Sequence, residues 1–509
     1  MTSFVPKEQL DLAVEGSEKA FVKIEEVVPN EGPREVAEVA TEMVKTASNI
    51  DRSIEPPLGE APLVTPPTIY ETELSNGLKV YGIQSDELPL VNFSIRIKGG
   101  QLMDDPALPG VANLMTDIMQ EGTATKTPEE LEDAIGQIGA NISMYTSSEH
   151  ITITANCLAR YFGETVAIVE EMLLEPRWDE AEFDRIKKNQ LNRIKQRSAN
   201  ASTIASQVSN RIMYGDDHIL SQPISGTLES VEKITIDDLK DFYDKNYSPN
   251  LSAFHIAGSV NEKDVSDALT GIESKWDNKN TSIPEYPVKE ASDEDMIYFA
   301  NFDNAKQSTI RVQRMAIPRN DPDYFPLTIA NYGLGGNAGA KLFQVLREDK
   351  GYTYGAYSYV PSSTVAAPFT AYSDVKSNVT PESVQAFKDV MQSYKDDYSS
   401  EDLEKARNAI IKKEARDYET LNQKLSILQS ISTYGLPKDY IRRNQEELKK
   451  YTVDDMKTIM DKYIQIDKMS YIVVGDAKTQ LEGVEALQIA PVVKVDENGN
   501  PVDQKIEVN

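Results

Sequence analysis

Two hydrophobic rhythms alternate along most of this chain. The run IYETELSNGLKVYGIQSDELPLVNFSIRIKGG repeats apolar residues every second position, the spacing of half-buried strands. It is broken at Asn76-Gly77, a pair suited to a tight hairpin turn. GVANLMTDIMQEGT then shifts to helical spacing, with Gly110 before it and Gly122 closing it. TPEELEDAIGQIG opens with Thr127, Pro128 and Glu130, a strong helix start. ANISMYTSSEHITITANCLA predicts a strand pair, and two helices follow, split by Pro176. Strands interspersed with amphipathic helices, without repeated βαβ units, predict an α+β fold: a mainly antiparallel sheet packed against helices.

The pattern occurs twice. ITIDDLKDFYDKNY is echoed by YTVDDMKTIMDKYI, placing Thr235 and Thr452 at 452 − 235 = 217 residues apart. Gly258 in LSAFHIAGSV and Gly475 in MSYIVVGDAK keep the same offset, 475 − 258 = 217. Upstream, Glu164 matches Glu382 and Phe183 matches Leu403. A period this long means two homologous domains, since solenoid repeats run about 20–50 residues.

These signals divide the chain into five parts. Residues 1–69 are an acidic, proline-rich extension with one helix expected around 33–47. Residues 70–265 form domain one, and residues 295–480 form domain two. Between them, residues 266–294 are charged and helix-poor, as expected of a linker. Residues 481–509 are a tail in which Asn498-Gly499 allows a short hairpin.

Composition narrows the function. The net charge is −29, with 82 acidic against 53 basic residues, so nucleic acid is not an expected partner. Cys157 is the only cysteine, which excludes an internal disulfide and any cysteine-based metal site. It stands in an alternating run, where a buried strand residue is expected. No apolar run reaches the roughly 18 residues of a membrane span, and MTSFVPKEQLDLAVEG does not resemble a signal peptide.

The motifs that would carry familiar chemistry are missing. His150, His218 and His255 are isolated, so neither HExxH nor its inverse HxxEH is present. GLGGNAGAK lacks the GK[ST] ending of a phosphate loop. Asp237-Asp238 and Asp454-Asp455 sit where carboxylates cap helices, which accounts for both pairs. The most distinctive run is YGLGGNAGAKLFQVLREDKGYTYGAYS, where Arg347 and Tyr354 bracket Gly351. A guanidinium and a phenol there offer donors to a carbonyl or carboxylate of an extended ligand. Pairing of Arg347 with a nearby acid and packing of Tyr354 on a sheet is the simpler alternative.

Three segments in order, LSNGLKVYGIQSDELPLVNFSIRIKGG, GVANLMTDIMQEGT and LGGNAGAKLFQVLREDKGYTYGAYS, resemble the insulinase/pitrilysin family of zinc metallopeptidases. The resemblance is to its two-domain branch, similar to mitochondrial processing peptidase subunits, and spans about residues 70–480. Active members carry GxAHxxEHxxxxGT on the first helix. Here Asn113 and Asp117 stand at the two histidine positions and Thr116 at the position of the water-activating glutamate. The third ligand of the family falls near Asn192 and Arg193. The resemblance therefore implies no metal and no catalytic residue on this chain. In paired bacterial members a second chain lacking zinc supplies Arg and Tyr, and RxxxGxxY is present here as Arg347, Gly351 and Tyr354. This implies a heterodimer in which an HxxEH-bearing subunit holds zinc and this chain binds the peptide through Arg347 and Tyr354. Gly335 and Gly336 would then face the substrate chamber, or simply form a tight turn before a helix. A retired peptidase acting as a structural or peptide-binding module is the alternative. By analogy with paired bacterial forms, a periplasmic or envelope location is expected.

Overall fold

A computed structural model describes residues 49–54, 66–197, 199–287, 289, 293–414 and 416–502. The helix expected around 33–47 lies outside them. The chain forms two units, 1–60 and 61–509. Within the first, Ser53 donates to Asp51 Oδ1 from its backbone N at 3.0 Å and its hydroxyl at 2.6 Å.

The second unit contains two six-stranded sheets. The first is built from β1 (Tyr70–Glu73), β2 (Lys79–Gln84), β3 (Leu90–Lys98), β4 (Asn141–Thr146), β5 (His150–Leu158) and β6 (Ser252–Gly258), in the order β1-β2-β6-β3-β5-β4. Only β2 and β6 run parallel. The second contains β7 (Met296–Asn301), β8 (Gln307–Met315), β9 (Thr353–Tyr359), β10 (Pro368–Lys376), β11 (Ser470–Gly475) and β12 (Val492–Val495), in the order β12-β7-β11-β8-β10-β9. Five strands correspond one to one: β2, β6, β3, β5 and β4 match β7, β11, β8, β10 and β9. The sixth does not. β1 is added antiparallel through the Asn76-Gly77 hairpin, whereas β12 is added parallel from the end of the chain.

The helices repeat as well. The first half carries α1 (Val111–Ile118), α2 (Pro128–Gln137), α3 (Phe162–Leu174), α4 (Glu180–Arg197), α5 (Ala201–Tyr214), α6 (Leu228–Lys233) and α7 (Ile236–Asn246). Next come α8 (Glu262–Ala268) and α9 (Thr270–Lys275). The second half carries α10 (Tyr324–Gly335), α11 (Lys341–Phe343), α12 (Thr380–Asp397), α13 (Ser400–Glu414), α14 (Leu421–Tyr434), α15 (Tyr440–Leu448), α16 (Val453–Tyr463) and α17 (Ala477–Ala486). Thr235 and Thr452 close equivalent capping boxes, accepting from Asp238 N at 3.3 Å and Asp455 N at 3.2 Å. Thr127 and Glu130 do the same for α2.

Each half has its own core, yet each sheet depends on the other half for its second face. α14 lies on β2, β3 and β6, packing Ile427, Leu428 and Ile431 against Tyr81, Ile83 and Ala253. Reciprocally, α5 lies on β8 and β11, packing Ile204, Ala205 and Val208 against Ile472 and Val474. Burying each large aliphatic side chain contributes about 1.5–3 kcal/mol. Polar contacts fix the register of both exchanges. Gln429 Nε2 donates to Ser94 Oγ at 2.9 Å, and Ser209 Oγ donates to Gln313 Oε1 at 2.5 Å. His255 Nε2 and Ser432 Oγ are 2.6 Å apart.

Two stretches are more ordered than their sequence suggests. The helix-poor linker is a misreading at its start: α8 and α9 occupy part of it, and Ile272 and Trp276 enter the first core. The tail completes the second sheet through β12. Beyond it a turn forms at Asn498-Gly499, with Asp496 N donating to Asn500 O at 2.9 Å and Gly499 at φ +82.

Candidate functional site

α1 begins under tight control. Gly110 adopts φ +107, and a side chain there would strike Gly226. The buried Asp104 carboxylate accepts from Gly110 N and Ala112 N, both at 2.8 Å. Burial pushes Asp104 up to about 7 although those two bonds pull it down. The helix buries Leu114, Met115 and Ile118 and leaves Asn113 and Asp117 facing α4.

There Asn113, Thr116, Asp117 and Arg193 meet. Arg193 Nη2, on α4, donates to Asp117 Oδ2 at 2.9 Å. Thr116 Oγ1 donates to Asn113 O at 2.9 Å and lies 3.1 Å from Thr146 Oγ1 on β4. Burial raises the Asp117 carboxyl, and the charge and hydrogen bond of Arg193 oppose that shift. The frame of α1, α4 and β4 thus brings together Asn113, Thr116, Asp117 and Arg193. Their chemistry does not fit zinc. A guanidinium has donors only, Asp117 supplies one carboxylate, and catalytic zinc sites use three protein ligands. Among the described residues no group of three His, Cys, Asp or Glu is placed to hold a metal.

Gln190 belongs to the same cluster and was not singled out by its sequence. It is 2% exposed, and its Nε2 donates to Ser225 O at 2.7 Å and to Asn113 Oδ1 at 3.4 Å. The signal was its place three residues before Arg193, on one face of a helix. Asn192, next to Arg193, is exposed. Gln120 ties α1 to β4 as well, donating to Thr116 O at 2.9 Å and accepting from Met144 N at 3.1 Å.

The second cluster lies at the edge of the other sheet. α11 continues into a wider helical turn, Gln344–Asp349, that carries Arg347. Gly351 reverses the chain at φ +62, and β9 starts at Thr353. This brings Arg347 onto Tyr354, with the guanidinium carbon 5.4 Å from the ring centroid. Arg347 Nη1 reaches Thr353 O only at 3.5 Å, and its Nε is 3.8 Å from Glu348 Oε1. Tyr354 is 82% exposed, so packing into the sheet does not account for it. Tyr354 lies in the edge strand β9, and Arg347 is half-buried over its ring. Gly335, at the end of α10, has a different surrounding: a side chain there would come 2.4 Å from Ser358 N, so its absence lets α10 approach β9. Gly336 is exposed.

Comparison with known proteins agrees with this architecture. Residues 80–227 match the insulinase (peptidase family M16) profile, and residues 233–410 match the peptidase M16 inactive domain. The chain belongs to the insulinase family of peptidases, M16. It is 22% identical over 355 residues to an uncharacterized zinc protease YmxG of Bacillus subtilis, covering 69% of this chain and 85% of that one. It is 20% identical over 396 residues to a non-peptidase homolog YmxG of Helicobacter pylori, covering 77% and 90%. Among solved structures, a peptidase M16 inactive domain from Pseudomonas fluorescens superposes with TM-score 0.74 at 22% identity, over 80% of this chain and 98% of that one. The periplasmic protease PqqL of Escherichia coli superposes with TM-score 0.68 at 16% identity, over 88% of this chain and 53% of that one. The chain is thus a two-domain M16 homolog whose zinc positions form no complete metal site among the described residues.

Proposed function

We propose that this chain is the non-catalytic, substrate-binding subunit of a heterodimeric zinc peptidase. The observation that carries the reading is the pair Arg347 and Tyr354, the half-buried guanidinium lying over the exposed ring of Tyr354 on β9, on a chain that forms no complete metal site among the described residues. A homologous HxxEH-bearing partner supplies zinc and the glutamate that activates water. On this chain, Arg347 donates its planar fork and Tyr354 its hydroxyl to main-chain carbonyls or a carboxylate of an extended peptide. Stacking limits the freedom of both side chains, so less entropy is lost when they bind. The peptide lies extended along an edge strand and is held by main-chain hydrogen bonds. The exposed Gly336 lies on the approach to that site, while the buried Gly335 seats α10 against β9. Similarity to a periplasmic protease supports a periplasmic or envelope location.

Similarity to a protein described as a non-peptidase homolog favours a second reading, a structural or peptide-binding module without hydrolysis. Copurification with an HxxEH-bearing homologue, followed by a peptide-cleavage assay, separates the two. The heterodimer reading expects cleavage only from the mixture and its loss with chelator. A stable complex that leaves the partner's cleavage rate unchanged favours the second reading.

A further inference from the structure

Between the two halves of the second unit lies a cavity of about 430 Å³ with Arg96, Glu149, His150, Arg311 and Tyr359 in its wall. None of these belongs to the Arg347–Tyr354 cluster or to the α1–α4 cluster. Each half contributes an arginine from a central strand, Arg96 from β3 and Arg311 from β8. Arg96 Nη1 reaches only Thr433 Oγ1, at 3.4 Å. Arg311 Nη2 donates to Ser206 Oγ at 2.7 Å and reaches Ser202 O at 3.5 Å. A guanidinium has five donors, so both forks remain largely uncommitted. Neither arginine pairs with a carboxylate among the described residues.

Glu149 is the one carboxylate in the wall, and its Oε1 is already engaged. Glu149 Oε1 accepts from Ser363 Oγ, from Thr364 N at 2.8 Å and from Val365 N at 3.4 Å. His150 is 7% exposed, and its Nε2 has no partner among the described residues. Burial, helped by Arg96 and Lys98, holds His150 down at about 3, so the ring is neutral near neutral pH. Both guanidiniums are half-buried, burial lowers Arg311 although Asp374 opposes that shift, and an anion between the two would use the donors they leave free. The volume suits a small molecule.

We propose that this interdomain cavity binds a small oxyanion, a molecule bearing carboxylate or phosphate oxygens, held by Arg96 from one half and Arg311 from the other. Such a ligand bridges the two sheets and stabilises the folded chain by mass action.

The test is calorimetric titration of the full chain with inorganic phosphate and, separately, with succinate, each against sodium chloride of equal ionic strength. One-site saturable binding of either probe is expected, and which probe binds identifies the oxyanion. Arg96→Gln and Arg311→Gln should each weaken binding about tenfold or more, as loss of a charged hydrogen bond requires. Hydrogen exchange on the unaltered chain gives a check that does not depend on variant folding: the bound probe should slow exchange at residues 147–150 and 362–363. Absence of saturable binding by both probes would overturn the proposal. So would unchanged affinity in both folded variants, or protection confined to other segments.

Discussion

Asp117 and Arg193 are 76 residues apart in sequence and 2.9 Å apart in space. A positive charge still faces the second helix position, but it is a side chain of α4. We propose that α1 and α4 are the frame on which the family builds its metal site, with the ligands changed. From this we predict that N113H, T116E, D117H and R193E together create a zinc site with about one ion bound per chain, three protein ligands being sufficient. Zinc content after gel filtration checks this, and a chain that retains no zinc would show that the frame has drifted. Asn113, Thr116 and Asp117 stand out in the sequence when it is set against the family motif. Gln190 does not, because an amide in a polar helix gives no sign that it is buried until the helix face is known.

At the scale of elements, the reciprocal placement of α5 and α14 ties the halves together. Leu428 is fully buried between α14 and the first sheet. Leu428→Ala should cost about 2–5 kcal/mol. Because each sheet depends on the other half's helix, urea should still unfold the second unit in one transition at lower concentration. Two separated transitions would contradict the exchange. His255 sits in the same contact, and burial lowers its pKa from 6.5 to about 3. Between those values the unfolded chain holds the proton and the folded chain does not, so stability is lost as pH falls from 6.5 towards 3. His255→Gln should reduce that slope by up to about 1.4 kcal/mol per pH unit, measured by urea unfolding across the window. The cap at Thr127 was legible because a cap is a local contact, whereas at the repeated helices the caps are Thr235 and Thr452, with Asp238 and Asp455 completing the boxes. The exchange was not legible, since an amphipathic helix shows that it has an apolar face but not which sheet it covers. α8 and α9 did leave a trace: Val265, Leu269, Ile272 and Trp276 recur at helical spacing and are all buried. The surrounding charges obscured it.

For the whole molecule, duplication and divergence give one account. Both halves keep five corresponding strands and equivalent capped helices. They differ in what they present: an Asp117–Arg193 pair joining α1 and α4 in one, and half-buried Arg347 over the exposed Tyr354 of β9 in the other. The fold class and the repeat were legible because period-two and helical spacing survive divergence. That Arg347 and Tyr354 stack was not, since it depends on the reversal at Gly351.

In the function proposed above, Arg347 binds substrate for chemistry performed on another chain. The most direct test of that role is kcat/KM for peptide cleavage by the assembled pair, comparing Arg347→Ala with the unaltered chain at equal complex concentration. Loss of a charged hydrogen bond to substrate predicts a fall of about tenfold to a hundredfold, with the variant folded and still assembled. An unchanged kcat/KM in that folded, assembled variant would contradict the account.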